Sequence, residues 1–273
     1  KRAITQSSTG LNFALGAHGA DYYTLEEAEQ AGVRFFDLLG VKTLEEARAV
    51  DAWIVLQKCD EFRSKRLGTW QYVVDGDFLP DQPANLLADG KFLDIPVMTG
   101  STTNEHFDVI RASSLEEFER NARTLYGEYA DEFLELCDFK CGDLLTMRCV
   151  DAGRPAWLYV FDPEIPGPDR PGAFHSSDLW FVFETLQKCW RPFRGKHYDL
   201  ARQVCNYWTN FAKTGDPNGL DDDGTPMPKW EPFTEDYSQP IIFEDTVHMG
   251  DWEMPECRKG MYRLAADKLW RKK

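Results

Sequence analysis

Four short apolar segments, separated by stretches with helical features, constrain the fold of this chain more than any other feature. They are residues 3–7, 95–100, 157–161 and 241–243. A short, continuous apolar run is typical of a strand that is buried on both faces, and such strands occur mainly in parallel sheets. Parallel strands need long crossover connections, which the intervening segments can supply as helices. The pattern therefore predicts an α/β fold with a mixed, mostly parallel sheet flanked by helices.

Hydroxyl residues that are followed three positions later by glutamate mark three predicted helix starts. Thr24, Thr43 and Ser114 each begin this pattern, which is typical of a capping box. The first helix should end at Gly40, because glycine suits the left-handed residue after a helix. Further helices are predicted over residues 51–67, 83–89, 198–213 and 255–270, and within 114–149. Four residues form the apolar set predicted for the helix at 51–67: Trp53, Ile54, Leu56 and Phe62.

Charge and composition argue against several classes of function. The formal net charge is −15 and basic residues occur only in short groups, so a nucleic-acid partner is not expected. No run of about eighteen apolar residues occurs, so no membrane span is predicted. Seven cysteines are scattered without a C-x-x-C pair, which favours free thiols in a reducing compartment such as the cytoplasm over a zinc site. The Asp-rich residues 220–224 lack the ligand spacing of an EF-hand.

A glutamate and a histidine each follow a predicted strand. Glu105 lies a few residues past the segment 95–100, and His175 lies in a Pro- and Gly-rich loop after the segment 157–161. Ligands bind at the carboxyl ends of the strands in open α/β sheets. The pair fits the second and third members of an α/β-hydrolase triad, whose chain order is Ser, then Asp or Glu, then His. Each residue alone has a simpler interpretation, since most loop glutamates are solvated and most single histidines are structural.

Six segments, in the same order, resemble type B carboxylesterases and the related cholinesterases, which are α/β-hydrolases. They are RAITQS (2–7), VVDGDFLP (73–80), IPVMTGSTTNE (95–105), GAFHSSDL (172–179), WTNFAKTGDPN (208–218) and KWEPF (229–233). The resemblance implies that residues 1–273 are a single partial domain, the C-terminal half of such an enzyme. It also implies that Glu105 is the triad acid and His175 the triad base. The family often has glutamate where this chain has Asp178.

The main departure from the family concerns the nucleophile. No G-x-S-x-G sequence occurs in the 273 residues. The resemblance implies that this nucleophile elbow, the oxyanion loop and the N-terminal strands lie upstream of Lys1. Ser7 and Ser8 belong to the strand after the elbow and are interpreted as structural. The predicted function is hydrolysis of a small-molecule carboxylic ester without a cofactor, with Glu105 and His175 but not the serine in this chain. We expect the chain alone to be inactive and to need its N-terminal half as a partner.

Two alternatives stay open from the sequence. A non-catalytic binding module is one, because adhesion proteins of the neuroligin type use the same fold without a working triad. The presence of both Glu105 and His175 favours the enzyme. The second alternative concerns four aromatic residues near the proposed triad members. These aromatic residues fit either a substrate pocket or plain core packing. They are Phe107, Trp180, Phe181 and Phe183.

Overall fold

The chain divides into two compact units, Ala20–Leu86 and the combination of Lys1–Gly19 with Leu87–Lys273. A computed structural model describes residues 1–7, 22–68, 70, 72–104, 114–131, 134, 141–234, 239–250, 260 and 266–267. The single partial domain expected over residues 1–273 stays a prediction. None of the helices within these ranges combines the length and the apolar character that crossing a bilayer requires.

The described residues contain seven strands and eight α-helices. The strands are β1 (Ala3–Gln6), β2 (Tyr23–Thr24), β3 (Val73–Val74), β4 (Val97–Thr102), β5 (Ala156–Phe161), β6 (Ile241–Phe243) and β7 (Val247–Met249). The helices are α1 (Leu25–Leu39), α2 (Leu44–Ala49), α3 (Ala52–Ser64), α4 (Pro83–Ala88), α5 (Leu115–Tyr126), α6 (Cys141–Asp151), α7 (Leu179–Val182) and α8 (Gly195–Thr214). Short 3-10 helices cover Gly127–Tyr129 and Leu186–Lys188.

The main sheet has the strand order β1-β4-β5-β6-β7. Three neighbouring pairs are parallel: β1 with β4, β4 with β5, and β5 with β6. The last pair, β6 with β7, is antiparallel. Helices occupy the connections between the parallel strands, since a parallel crossover needs a long connection. The predicted mixed, mostly parallel α/β sheet is therefore confirmed. In the second unit, β2 and β3 form a separate parallel pair of two residues each.

The central strands are buried on both faces. In β4 and in β5, five of the six residues are buried. The sequence of β5 is apolar throughout, as expected for such a strand, whereas β4 also buries Thr99 and Thr102. Against the sheet, α8 presents a buried face whose members recur at helical spacing: Leu200, Ala201, Val204, Tyr207, Trp208 and Phe211. The remaining residues of this helix are mostly polar. The sequence therefore encodes both the buried strands and the helix face that packs against them.

Aromatic rings fill the core beside the sheet. Tyr159 of β5 and Phe243 of β6 meet Tyr207 and Trp208 of α8 together with Trp230 from a later loop. The ring centroids of neighbouring pairs are 5.0 to 6.4 Å apart, and most pairs meet edge to face. This geometry places the positive edge of one ring against the negative face of the next. The many aromatic residues of this chain are therefore accounted for largely by its core.

The helix ends predicted from capping residues and from Gly40 agree with the structure. Thr24 and Thr43 form complete capping boxes with Glu27 and Glu46, and the Ser114 hydroxyl accepts from the backbone N–H of Glu117. Gly40 ends α1 in the left-handed conformation, with φ of 74°. The helix predicted over residues 255–270 falls almost wholly outside the described residues.

The apolar face predicted for α3 is wrong. Three of the four predicted residues are exposed, namely Trp53, Ile54 and Leu56, and Trp53 is 66% exposed. Phe62 is fully buried and packs edge-on against Phe35 of α1, with ring centroids 5.4 Å apart. Val55 and Cys59 pack on the same cluster. These residues are three or four positions apart, so it is their face, not that of Trp53 and Leu56, which turns toward α1.

We predict that Gly100→Ala lowers the free energy of unfolding by about 1–3 kcal/mol, because it overpacks the contact between β4 and β5. A Cβ at Gly100 would lie 2.3 Å from the carbonyl oxygen of Tyr159 and 2.4 Å from its ring. The backbone oxygen cannot move away without breaking the parallel pairing. Urea unfolding of the purified protein, followed by Trp fluorescence, measures the effect.

The matched control is Gly195→Ala at the start of α8. A Cβ there meets no atom within 4 Å, so we expect unchanged or slightly higher stability. Equal unfolding midpoints for wild type and Gly100→Ala would contradict the close packing of the two strands.

Candidate functional site

The candidate site lies where β4 and β5 end side by side. The two strands are parallel and in register through Thr102 and Phe161, so both end at the same edge of the sheet. The backbone N–H of Thr103 still bonds to the carbonyl of Phe161, at 3.1 Å. Beyond this point the two chain segments separate. The segment after β4 leads to Glu105, and the loop after β5 leads to His175.

Asn104 joins these two segments again. Its backbone N–H donates to the carbonyl of Ala173 at 3.0 Å, and its side-chain Oδ1 accepts from the N–H of Ala173 at 2.9 Å. Asn104 and Phe174 form a parallel bridge. The residue before Glu105 and the residues before His175 are therefore in direct contact. Glu105 itself lies outside the described residues, so its predicted role as the acid stays a prediction.

Gly172 permits this contact. Its φ is +61°, in the left-handed region that favours glycine, and a Cβ there would lie 2.1 Å from Oδ1 of Asn104. Any other residue would therefore be both strained and in collision with the asparagine. The glycine of the GAFH segment is explained by the approach of the loop from β4.

His175 lies on an exposed turn just before α7. The next residue, Ser176, has φ of 70°, an uncommon value for a residue other than glycine. The N–H of Ser177 donates to the carbonyl of Phe174 at 2.9 Å, and the N–H of Leu179 to that of Ser176 at 3.2 Å. The histidine is thus carried by a tight, hydrogen-bonded turn at the sheet edge where the sequence predicts it.

A buried carboxylate lies three residues after His175. Asp178 is 2% exposed, and its Oδ2 accepts from Nε2 of Gln6 at 2.7 Å and from the hydroxyl of Tyr159 at 3.4 Å. Oε1 of Gln6 in turn accepts from Nε1 of Trp208 at 3.3 Å. This network connects the histidine turn to β1, β5 and α8. A buried carboxylate requires such donors, since it is costly to remove from water without them.

Arg191 holds the beginning of the histidine loop and was not predicted from the sequence. Its guanidinium binds both carboxylate oxygens of Asp169, at 3.0 and 2.8 Å, and donates to the carbonyl of Pro166 at 3.0 Å. It also lies over the rings of Phe174 and Trp190, 5.4 and 4.7 Å from their centroids. The hydrogen bond to Arg191 lowers the pKa of the Asp169 carboxyl below its ordinary value. The loop is therefore fixed by a bidentate ion pair that also contacts the ring next to His175.

The aromatic residues near His175 do not form one group. Phe181 is fully buried in the core, whereas Phe183 is 67% exposed and Trp180 is half-buried. The ring of Trp180 lies between Phe174 and Phe193, with centroids 5.7 and 5.9 Å away. Core packing therefore explains Phe181, and Phe107 lies outside the described residues.

Within the described ranges, no three His, Cys, Asp or Glu side chains lie together in a group that could hold a metal ion. In the Asp-rich stretch, the carboxylate of Asp221 is bound by the guanidinium of Arg202 at 2.9 and 3.1 Å. Four cysteines in these ranges are free thiols: Cys59, Cys149, Cys189 and Cys205.

A model of the Carboxylesterase family matches residues 116–254, which is just over half of the chain and includes His175. The chain belongs to the carboxylesterase family. The para-nitrobenzyl esterase of Bacillus subtilis (strain 168) is 25% identical over 269 residues, which cover 88% of this chain and 54% of that protein. Carboxylesterase 5A of Canis lupus familiaris is 30% identical over 216 residues, which cover 63% of this chain and 37% of that protein. The chain thus spans about half or less of the length of the curated relatives it matches.

Solved structures confirm the predicted α/β-hydrolase fold. A thermophilic PNB esterase aligns with a TM-score of 0.64 and 22% identity, over 95% of this chain and 57% of that one. A carboxylesterase from Geobacillus stearothermophilus, crystallised at pH 6.8, aligns with a TM-score of 0.65 and 23% identity over the same shares. Sequence identity at this level supports the fold and no finer property.

We predict that Arg191→Gln destabilises the folded protein at neutral pH and does so less in acid. The folded-state pKa of Asp169 is lowered, so the ion pair contributes stability above the ordinary carboxyl pKa and loses it as the pH falls through the folded-state value. The difference in unfolding midpoint between wild type and variant should therefore narrow from about pH 7 to about pH 3.

Lys196→Gln is the control for this measurement. Lys196 pairs with Asp245 at 2.7 Å on the surface, where both side chains are largely exposed, and such a pair contributes little. An Arg191→Gln effect that is the same at every pH would show that the ion pair does not stabilise the loop.

Proposed function

We propose that this chain supplies the acid and the base for carboxylic ester hydrolysis by a Ser-Glu-His triad. Glu105 is the proposed acid and His175 the proposed base. The observation that carries the proposal is the double hydrogen bond between Asn104 and Ala173, which joins the residue before Glu105 to the second residue before His175 at one sheet edge. Membership of the carboxylesterase family supports the reaction class.

The proposed mechanism gives each residue one task. His175 accepts the proton of the attacking serine and later donates it to the leaving alcohol. Glu105 holds the imidazole of His175 in the correct tautomer and stabilises the imidazolium that forms. Backbone N–H groups stabilise the oxyanion, each contributing about 3–4 kcal/mol. These steps call for no cofactor, and the proposed substrate is a small-molecule carboxylic ester.

The serine and the oxyanion N–H groups are proposed to come from residues that precede Lys1 in the natural protein. The relatives are longer than this chain, and the 273 residues contain no G-x-S-x-G sequence. Among the described strands, β1 pairs only with β4, so its other edge is free to pair with a strand of that N-terminal half. The chain without this partner is proposed to be inactive.

The test is hydrolysis of p-nitrophenyl acetate by the protein expressed from the natural start of its gene. We predict activity in that protein, none above background in the 273-residue chain, and a loss of about 10⁴-fold or more in kcat for His175→Ala. Glu105→Gln should also lose activity, but less, since the acid acts through the histidine.

His248→Ala is the matched control. His248 has its Nε2 2.8 Å from a carboxylate oxygen of Glu244, but it lies in β7 away from the candidate site. It should retain wild-type activity. A well-folded, complete protein without esterase activity, or one whose activity survives His175→Ala, would overturn the proposal and favour the non-catalytic binding module.

A further inference from the structure

We propose that Asn104 is a positioning residue for this reaction, whose side chain sets the alignment of His175 with the acid that follows Asn104. The inference rests on the proposed function, because it assigns no chemistry to Asn104 itself. It concerns the geometry by which two loops from different strands present one catalytic pair.

The side chain of Asn104 provides a hydrogen-bond acceptor that the path of the histidine loop requires. After Phe161, the chain from β5 leaves the edge of β4, so the segment 172–174 replaces β5 as the neighbour of Asn104. Ala173 is fully buried, and both its N–H and its carbonyl bond to Asn104. The backbone of Asn104 supplies the donor for this pair and its side chain supplies the acceptor. Without Oδ1 of Asn104, the buried N–H of Ala173 would lose its partner.

The contact fixes the orientation of the segment 172–174 relative to β4, as well as its distance from β4. Two hydrogen bonds from one residue to another prevent the segment from sliding along β4 or rotating about a single bond. Gly172 admits Oδ1 of Asn104 into space that a Cβ would occupy, so the loop and the asparagine fit closely. On the other side, the hydroxyl of Thr103 bonds to the carboxylate of Asp162, which holds the start of the same loop. In the sequence, Glu105 follows Asn104 directly, and His175 follows Ala173 by two residues.

Because the contact aligns the catalytic pair, we expect loss of the Asn104 side chain to affect the reaction rate more than the folded structure. A displacement of about 1 Å in a catalytic group costs roughly 10²-fold in rate, whereas substrate binding elsewhere is unaffected. Loss of the Asn104 side chain should therefore lower kcat and leave KM nearly unchanged. It should also weaken the contact between carboxylate and imidazolium, which moves the acid limb of the kcat/KM profile to lower pH.

The experiment compares variants of the complete protein with p-nitrophenyl acetate as substrate. Asn104→Ala should reduce kcat roughly 10- to 100-fold, with KM within about twofold of wild type and the acid limb shifted. Asn104→Asp keeps an oxygen at the position of Oδ1, so it should restore most of kcat. If Asn104→Ala does not fold, Asn104→Ser takes its place, because its hydroxyl is too short to reach the N–H of Ala173.

Asn218→Ala is the matched control. The Asn218 side chain likewise accepts from a distant backbone N–H, that of Trp230 at 2.7 Å, but outside the two loops. It should lose stability and keep kcat and the pH profile. Equal kcat values for Asn104→Ala and Asn218→Ala, with His175→Ala inactive, would overturn the positioning role and leave the proposed function intact. Activity that survives His175→Ala would instead overturn the proposed function.

Discussion

The parallel pairing of β4 with β5 is the constraint on which the candidate site depends. Gly100 opposes Tyr159, and the missing side chain lets the tyrosine ring and backbone lie directly against β4. Six residue pairs keep the two strands in register up to Thr102 and Phe161. A shift by one residue would move every side chain of one strand to the opposite face and would separate the two strand ends. The pairing of glycine with tyrosine in mid-strand therefore decides where the loops of Glu105 and His175 begin.

β1 extends this constraint from the other side of β4. At its start, the guanidinium of Arg2 donates to the last carbonyls of α8, those of Ala212 and Lys213, where the helix dipole favours a cation. At its end, Gln6 bonds to the buried carboxylate of Asp178 and to the indole of Trp208. The strand is thus joined to α8 at both ends and to the turn that carries His175. Any change that displaces β1 should be transmitted to the proposed base through Asp178.

The parts of the fold that depend on local sequence could be predicted, and the parts that depend on distant contacts could not. Apolar runs identified β4, β5 and β6, and capping residues identified the starts of α1 and α2, because each feature is complete within a few residues. The composition of α3 could not reveal which of its apolar residues face α1, so the predicted apolar set includes Trp53, which is exposed. β7 has a histidine between Val247 and Met249, so no apolar run marks it in the sequence. The contacts of Asn104 with Ala173 and of Arg191 with Asp169 join residues 69 and 22 positions apart, and no spacing in the sequence indicates them.

The histidine loop is held near both ends by groups that are independent of the nucleophile. Arg191 holds it near its start, through Asp169 and Pro166, and Asn104 holds it next to its end, through Ala173. Neither group is itself proposed to touch the substrate. A general base is effective when its position costs no reorganisation during the reaction, and rigid neighbours provide this condition. If the serine comes from an N-terminal half, that half meets a base whose supporting loop is already in place. In the proposed mechanism, the sheet edge of this chain provides the alignment of the catalytic pair, and the N-terminal half provides the nucleophile.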